Sequence, residues 1–251
     1  MELTNLERER YQKHLQLAEV GESGQTKLKA SSVLVVGAGG LGSPVCMYLA
    51  AAGVGYLRIV DADVVSLSNL QRQVVHDTAN IGMQKVASAG RRLTAINPLV
   101  QLDLRTETFT EESAPRMIEG QQLVVDCTDN LRTRFAINQA CVSAGIPMVY
   151  GAVFQYEGQV GVFEAGRGPC YRCMYAQIPD EKLVADPSEH GLLTTTPGII
   201  GMLQANEVLK LLLGIGETLI GRLLLFDGLS VTFTSVRIPK NAHCPVCGQA
   251  Q

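Results

Sequence analysis

The sequence predicts an α/β fold: a Rossmann-like, mostly parallel sheet with helices on both faces, antiparallel strands in its C-terminal half and a C-terminus held by metal. Three observations carry the sheet. Short apolar runs alternate with longer helical patterns along the 251 residues. Val33–Val36 passes through glycines into the Ala- and Leu-rich stretch Leu41–Ala52 and on to Leu57–Val60, the spacing of a βαβ unit. Later, Met148–Val153 and Gln159–Phe163 are joined through Tyr156–Gly158, as in a hairpin.

Taken in order, residues 5–19 read as an amphipathic helix with Leu6, Leu15 and Leu17 as anchors. The βαβ unit follows. Met83–Ile96 is a helix stopped by Asn97-Pro98, and Val100–Leu104 a strand. Leu123–Cys127 is an apolar strand, and Asn138–Ala144 lies on a helix ended by Gly145 and Pro147. After the hairpin, residues 164–197 are rich in Gly, Pro and polar side chains and read as a long irregular loop. Ile199–Leu213 is an amphipathic helix closed by Gly214, with an apolar face for the core or for a subunit interface. Arg222–Phe226 and Val231–Ile238 are late strands.

Composition bounds the partners. The formal net charge of −3 argues against a phosphate-backbone binding surface, and nucleic acid is not an expected partner. Trp is absent and aromatics are 5%, which disfavours an aromatic binding face. The polar N-terminus lacks a secretory pattern, and no apolar stretch approaches the roughly 20 residues of a membrane span. A cytoplasmic protein is the expectation, and its seven cysteines then need a use other than disulfides.

Gly37-Ala38-Gly39-Gly40-Leu41-Gly42 matches GxGxxG between a strand and a helix. Such glycines permit the tight turn, the approach of backbone to phosphate and close helix–strand packing, and the helix N-terminus offers free N–H groups. Asp61, 19 residues after Gly42, ends the next strand, where a carboxylate accepts ribose hydroxyls. The bland alternative is a turn chosen for packing alone. The motif by itself does not separate a dinucleotide from ATP. Downstream, Asn69, Arg72 and Lys85 gather polar and positive groups near the expected phosphates, which suits neutralisation of a triphosphate better than hydride transfer. Asp126, Asp129 and Asn130 end a later strand, where a carboxylate suits Mg²⁺. A solvated loop with a capping residue is the alternative for any one of them. Arg132 and Arg134 fit either orientation of a ligand or solvated surface.

Cys170-Tyr171-Arg172-Cys173 and Cys244-Pro245-Val246-Cys247 are two CxxC pairs in Gly- and Pro-rich surroundings. Four thiolates complete the closed tetrahedral set of a structural Zn²⁺, with no open position for chemistry. A redox CxxC is the weaker reading, for want of a thioredoxin pattern. Cys46, Cys127 and Cys141 lie in apolar segments and read as buried filler. His190 reads as a solvated loop residue.

The stretches VVGAGGLGSP, DADVVSLSNLQRQ, Lys85, DCTDN and the two CxxC pairs resemble the MoeB/ThiF/HesA family of ubiquitin-activating-enzyme-like adenylyltransferases, from Arg10-Tyr11 to Cys247-Gly248. Within it the resemblance is nearest to the molybdopterin-synthase adenylyltransferase branch. It implies one adenylation domain over 1–251, with a helical arm (1–30), a nucleotide-binding half (31–150) and a carrier-binding half bearing the zinc knuckle (151–251). It implies that ATP, with Mg²⁺, adenylates the C-terminal Gly-Gly carboxylate of a small ubiquitin-like sulfur carrier in a homodimer. By the same resemblance Gly37, Gly39, Gly40 and Gly42 form the phosphate turn and Asp61 takes the ribose. Ser68, Asn69, Leu70, Gln71, Arg72 and Lys85 line the nucleotide, and Asp129 with Asn130 lies at the Mg²⁺. Arg72, Lys85, Asp129 and Lys13 are then the catalytic set. Lys13 stands where the family places an arginine that reaches the partner's site, so Lys13 or Arg10 fills that role. The stretch from Asp186 to Pro197 holds no cysteine, which implies adenylation without an obligatory enzyme thioester and favours a carrier of the molybdopterin pathway over one of the thiamine pathway. With no sulfurtransferase domain after Gln251, the sulfur is expected from a separate donor, and the carrier's tail is expected to lie in a groove roofed by residues 175–197. A nicotinamide-dependent oxidoreductase and a non-catalytic nucleotide-binding scaffold are the competing classes. The first has no use for the Asn69, Arg72, Lys85 and Asp129 set, and the second no need of it.

Overall fold

The computed structural model describes residues 2–175 and 190–248. Eight strands form one sheet in the order β3-β2-β1-β4-β5-β6-β7-β8. β1 (Ser32–Val36), β2 (Tyr56–Val60), β3 (Gln101–Arg105), β4 (Leu123–Asp126) and β5 (Met148–Phe154) run parallel; β6 (Glu157–Phe163), β7 (Arg222–Asp227) and β8 (Thr232–Arg237) follow as antiparallel neighbours. Strand order reverses between β1 and β4, and ligands of open α/β sheets sit outside the carboxyl ends of the strands at such a point.

Side-chain alternation sorts the two faces. Val33 and Val35 of β1, Leu57 and Ile59 of β2, and Leu123 and Val125 of β4 point to one side. There they meet α3 (Gly21–Lys29), α4 (Gly42–Ala52), α5 (Lys85–Ile96) and α9 (Thr195–Leu213). Leu34, Val36, Val60 and Val124 point to the other side, against α6 (Ala114–Ile118) and α7 (Leu131–Ala144). A period of two on buried strands leaves no other arrangement once helices cover both faces.

Several elements depart from the sequence expectation. The helix expected over 5–19 is broken into α1 (Asn5–Arg10) and α2 (Gln12–Leu15) at Tyr11, whose hydroxyl accepts from the buried Asn97 amide at 2.8 Å. α3 was hidden by its glycines and polar residues. Its Gly24 lies so close to Val20 and Leu213 that a β-carbon would meet them at 3.0 and 3.1 Å, and its buried Gln25 donates to the Ala52 carbonyl at 2.9 Å. The five-residue α6 carries Pro115 in its first turn and is too short for periodicity to reveal. Within the expected loop 164–197, a single turn, α8 (Tyr171–Met174), follows the first CxxC cysteine, and α9 begins at Thr195 rather than Ile199. The roofing segment expected over 175–197 falls largely on residues 176–189, outside the described residues. No described helix is long and apolar enough to cross a membrane.

One ion pair is buried on the second face. Asp126, with no solvent exposure, accepts from Arg134 Nε at 2.9 Å, and Arg134 also donates to the Thr128 carbonyl at 2.8 Å. The guanidinium lies 4.8 Å from the centroid of Tyr150. Arg134 is therefore neither solvated surface nor a ligand-orienting group, and Asp126 is committed to it rather than to a metal. Removing one partner of a buried pair strands the other charge in low dielectric. Arg134→Met is expected to cost about 3–5 kcal/mol of stability, read as a lower urea midpoint. An unchanged midpoint would show that Asp126 does not depend on this cation.

Candidate functional site

The site grows out of the turn between β1 and α4. Gly37 has φ of +100°, and a β-carbon there would sit 2.6 Å from the Cys127 carbonyl oxygen. A β-carbon on Gly42 would collide with the Gly37 carbonyl. Both positions therefore require glycine, one for conformation and both for space. Gly37 N–H donates to the Val60 carbonyl at 2.8 Å and Ala38 N–H to Asp61 Oδ2 at 2.7 Å. The Gly39 carbonyl accepts from Ser43 N–H at 2.9 Å and Ser43 Oγ at 2.7 Å. The N–H groups of Gly39, Gly40 and Leu41 make no hydrogen bond to the described residues. Three adjacent unpaired amides at a helix N-terminus form an anion-binding concavity.

Charged groups border it. Asp61 Oδ1 also accepts from Asp63 N–H at 2.8 Å, so backbone donors fix the carboxylate in place. Lys85 begins α5 and is nearly buried, with its Nζ 2.8 Å from the exposed Asp63 carboxylate. Arg72 lies against Gly40, where a β-carbon would approach its Cγ at 3.7 Å, and donates to the Ser68 carbonyl at 3.1 Å. Asn69 accepts from Ser66 N–H at 3.4 Å and closes the short 3-10 turn Leu67–Asn69, which Leu70 and Gln71 follow. Asp129 is exposed on the loop after β4, which the bond from Cys127 N–H to the Val36 carbonyl at 2.9 Å holds beside the glycine turn. Asn130 caps α7, its Oδ1 accepting from Thr133 N–H at 2.9 Å, so its side-chain oxygen has a structural use. The glycine turn, the segment 61–72, Lys85 and Asp129 thus meet at one end of the sheet. Lys13 is exposed and donates to Gln16 at 3.3 Å; Arg10 donates to the Ile96 carbonyl at 2.9 Å.

Four residues at this end escaped the sequence reading. Gln73 is buried beside Gly39 with an unpartnered Oε1. His76 is buried and hydrogen-bonded to the Ala38 carbonyl. Thr194 donates to Gln71 Oε1 at 2.8 Å, and Pro197 lies where a β-carbon on Gly40 would meet it at 3.1 Å. Thr194 and Pro197 bring the start of α9 onto the glycine turn. No local pattern marks such contacts, which are made across tens to more than a hundred residues. Two clefts of ≈590 and ≈550 Å³, sharing Ile220 and Arg222, contain none of these residues.

The other thiols separate as the sequence suggests. Cys46, Cys127 and Cys141 are buried, and burial pushes all three up, Cys46 to about 12 with Asp61 adding to the shift. None is a thiolate nucleophile near neutral pH.

At the opposite end of the sheet, beyond β6 and β8, the thiols of Cys170, Cys173, Cys244 and Cys247 lie within 4.8 Å of one another. Cys170 and Cys244 sulfurs are 3.6 Å apart and those of Cys173 and Cys247 3.4 Å. Tetrahedral ligands at about 2.3 Å from zinc stand about 3.8 Å apart, so the cluster matches the metal's size. Burial pushes the Cys170 and Cys173 thiols up; it opposes the Cys244 thiolate too, but backbone N–H donors of Cys247 and Val246 bring that thiol down to about 7. A β-carbon on Gly248 would crowd the Ala242 and Cys244 carbonyls, each at 2.6–2.7 Å, so the knuckle needs glycine there.

The ThiF family profile matches residues 11–246. The chain belongs to the ThiF family. Members are E1-like adenylyltransferases, and this chain is an enzyme of that class. It is 44% identical over 253 residues to a sulfur carrier protein adenylyltransferase of Thermus thermophilus, covering 99% of this chain and 93% of the relative. It is 44% identical over 241 residues to a SAMP-activating enzyme E1 of Haloferax volcanii, covering 96% and 89%. With an adenylyltransferase and sulfurtransferase MOCS3 of Aedes aegypti it shares 44% over 246 residues, 98% of this chain but 56% of the longer relative. Among solved structures, Escherichia coli MccB with ATP superposes with a TM-score of 0.84 at 22% identity, over 96% of this chain and 75% of that one, which shows the shared fold.

The cysteine cluster yields a direct expectation. Purified chain should carry about one zinc ion, and Cys244→Ser should lose it together with several degrees of melting temperature. Metal analysis beside thermal unfolding checks this. A metal-free chain as stable as the untreated protein would remove the structural role.

Proposed function

We propose that this chain uses ATP to adenylate the C-terminal glycine carboxylate of a small ubiquitin-like sulfur carrier ending in Gly-Gly, releasing pyrophosphate. The observation that carries the reading is the set of three unpaired amides at the glycine turn, bordered by Arg72 and Lys85. The name of the Thermus relative at 44% identity supplies the carrier.

In this reading the amides of Gly39, Gly40 and Leu41 hold the phosphates, and Asp61 accepts the ribose hydroxyls. The carrier carboxylate oxygen bonds to the α-phosphorus, the bond to the β-phosphate bridging oxygen breaks, and pyrophosphate leaves. No general base is required because the nucleophile is already ionised. Lys85 and Arg72 stabilise charge on the phosphates, a task of fixed cations rather than proton transfer. A Mg²⁺ held by Asp129 would neutralise phosphate oxygens; its exposed carboxylate beside the turn suits a hard cation that keeps several waters. Zinc on the four cysteines would have no open position and would pin the chain after β8 to the turn at Cys170. Asn69 supports the 66–72 turn, with Ser68, Leu70 and Gln71 lining the nucleotide.

We assign the enzyme to a homodimer in which Lys13 reaches the partner's site. Lys13 is exposed with a weak neighbour contact, whereas Arg10 is tied to the Ile96 carbonyl. Lysine supplies charge without the guanidinium fork. The sequence from 176 to 197 has no cysteine, which supports adenylation without an enzyme thioester and a carrier of the molybdopterin pathway; the sulfur donor in this reading is a separate sulfurtransferase. A thiamine-pathway carrier is the second reading, since the Thermus relative's name specifies no pathway. The localisation this reading implies is cytoplasmic.

ATP–pyrophosphate exchange with Mg²⁺ and each type of purified carrier tests both levels. Exchange should require a carrier with an intact Gly-Gly terminus, and the molybdopterin-type carrier should give the higher kcat/KM. Lys85→Ala should lower kcat about 10²–10³-fold, as loss of a charge-stabilising group does. Absence of exchange with either carrier overturns the proposal, and preference for the thiamine type reverses the pathway assignment.

A further inference from the structure

His76 lies below the glycine turn and takes no part in the chemistry above. It is 7% exposed. Its Nε2 is 2.9 Å from the Ala38 carbonyl oxygen and its Nδ1 is 2.9 Å from Ser88 Oγ. A carbonyl only accepts, so Nε2 carries the proton. Burial holds the ring's pKa below its ordinary value, with Lys85 acting in the same direction, so the imidazole is neutral and Nδ1 receives the Ser88 hydroxyl proton.

The Ala38 carbonyl belongs to the same peptide unit as Gly39 N–H. The described residues contain no cis peptide bond, and in a trans unit the two groups point in opposite directions. Drawing the carbonyl down onto His76 therefore turns Gly39 N–H away from the core and toward the mouth of the turn. The preceding peptide is fixed separately, by Ala38 N–H on Asp61 at 2.7 Å. The following one is fixed by the Gly39 carbonyl on Ser43, which turns Gly40 N–H outward in the same way. Of the three fixed units, the first is held by the Asp61 side chain, the one that aims Gly39 N–H by the His76 side chain, and the third locally by Ser43. Ser88 also stands on α5, three residues after Lys85, and is fully buried. His76 thus connects the turn to the helix that carries Lys85.

We propose that His76 is a positioning residue for the phosphate turn: it aims Gly39 N–H at the nucleotide's phosphates and fixes the turn relative to Lys85. The inference rests on the ATP-binding reading above. It assigns His76 no contact with substrate. Its effect is on phosphate recognition, not on recognition of the nucleoside.

That distinction separates positioning from bulk packing. His76→Phe keeps an aromatic ring and drops the donor; His76→Gln can place an amide N–H near the original Nε2. Binding of a non-hydrolysable ATP analogue and of adenosine is measured on the full chain by calorimetry. Hydrogen bonds to charged groups contribute enough that His76→Phe should weaken the analogue about tenfold or more. Adenosine affinity should stay within about twofold, and His76→Gln should recover most of the loss. Ser88→Ala, which leaves the ring in place, should show the same phosphate-selective pattern at smaller size and stands in if His76→Phe does not fold. Equal losses for analogue and adenosine, or no loss in either variant, would overturn the proposal. Failure of the unaltered chain to bind the analogue would defeat the ATP reading itself, an outcome distinct from an unaffected variant.

Discussion

The turn between β1 and α4 must leave three peptide N–H groups unpaired while the chain on either side of it is fully packed. Unpaired backbone donors are costly when buried, so they persist only where they face solvent or a ligand. Here the N–H groups of Gly37 and Ala38 and the carbonyls of Ala38 and Gly39 are committed to Val60, Asp61, His76 and Ser43, and that commitment fixes where the free donors face. The glycine requirement at 37 and 42, the buried His76 and the neighbouring start of α9 all follow from holding so tight a turn in a single shape.

The rest of the sheet places chemistry around that turn and stability away from it. The parallel strands bring Asp61 and the loop of Asp129 to the same edge as Gly37 because β1 lies between β2 and β4. The antiparallel half returns the chain to the opposite edge, where the cysteine cluster joins two segments more than seventy residues apart. Between these ends, Asp126 and Arg134 bury a charge pair against Tyr150 and orient the loop through Thr128, whose N–H donates to Asp126 at 3.0 Å. The pair acts on the site's frame without facing a ligand.

Local pattern revealed most of the frame. Strands with buried runs, the helices α4 and α5 and the second half of α7 were legible because apolar spacing and stop residues agree with the final fold. The tight GxGxxG turn, the position of Asp61 beside it and the meeting of the two CxxC pairs were legible because each is a residue-type pattern at fixed spacing. α3 was not legible, because Gln25 is buried by a bond to Ala52 that sequence does not display. Asp126 and Asp129 looked alike as acids at a strand end; only the buried position of Arg134 separates the structural one from the exposed one. His76 follows two valines in an unremarkable run, and its partner at Ala38 is 38 residues away.

The claim at the centre of this account is that the open amides of Gly39, Gly40 and Leu41 receive the phosphates of ATP. A crystal structure of the chain with a non-hydrolysable ATP analogue and Mg²⁺ tests it most directly. The account predicts phosphate oxygens at hydrogen-bonding distance from those amides, the ribose on Asp61, and Lys85 turned from Asp63 toward the phosphates. A nucleotide bound elsewhere, or one whose phosphates leave the three amides unpaired, would contradict it.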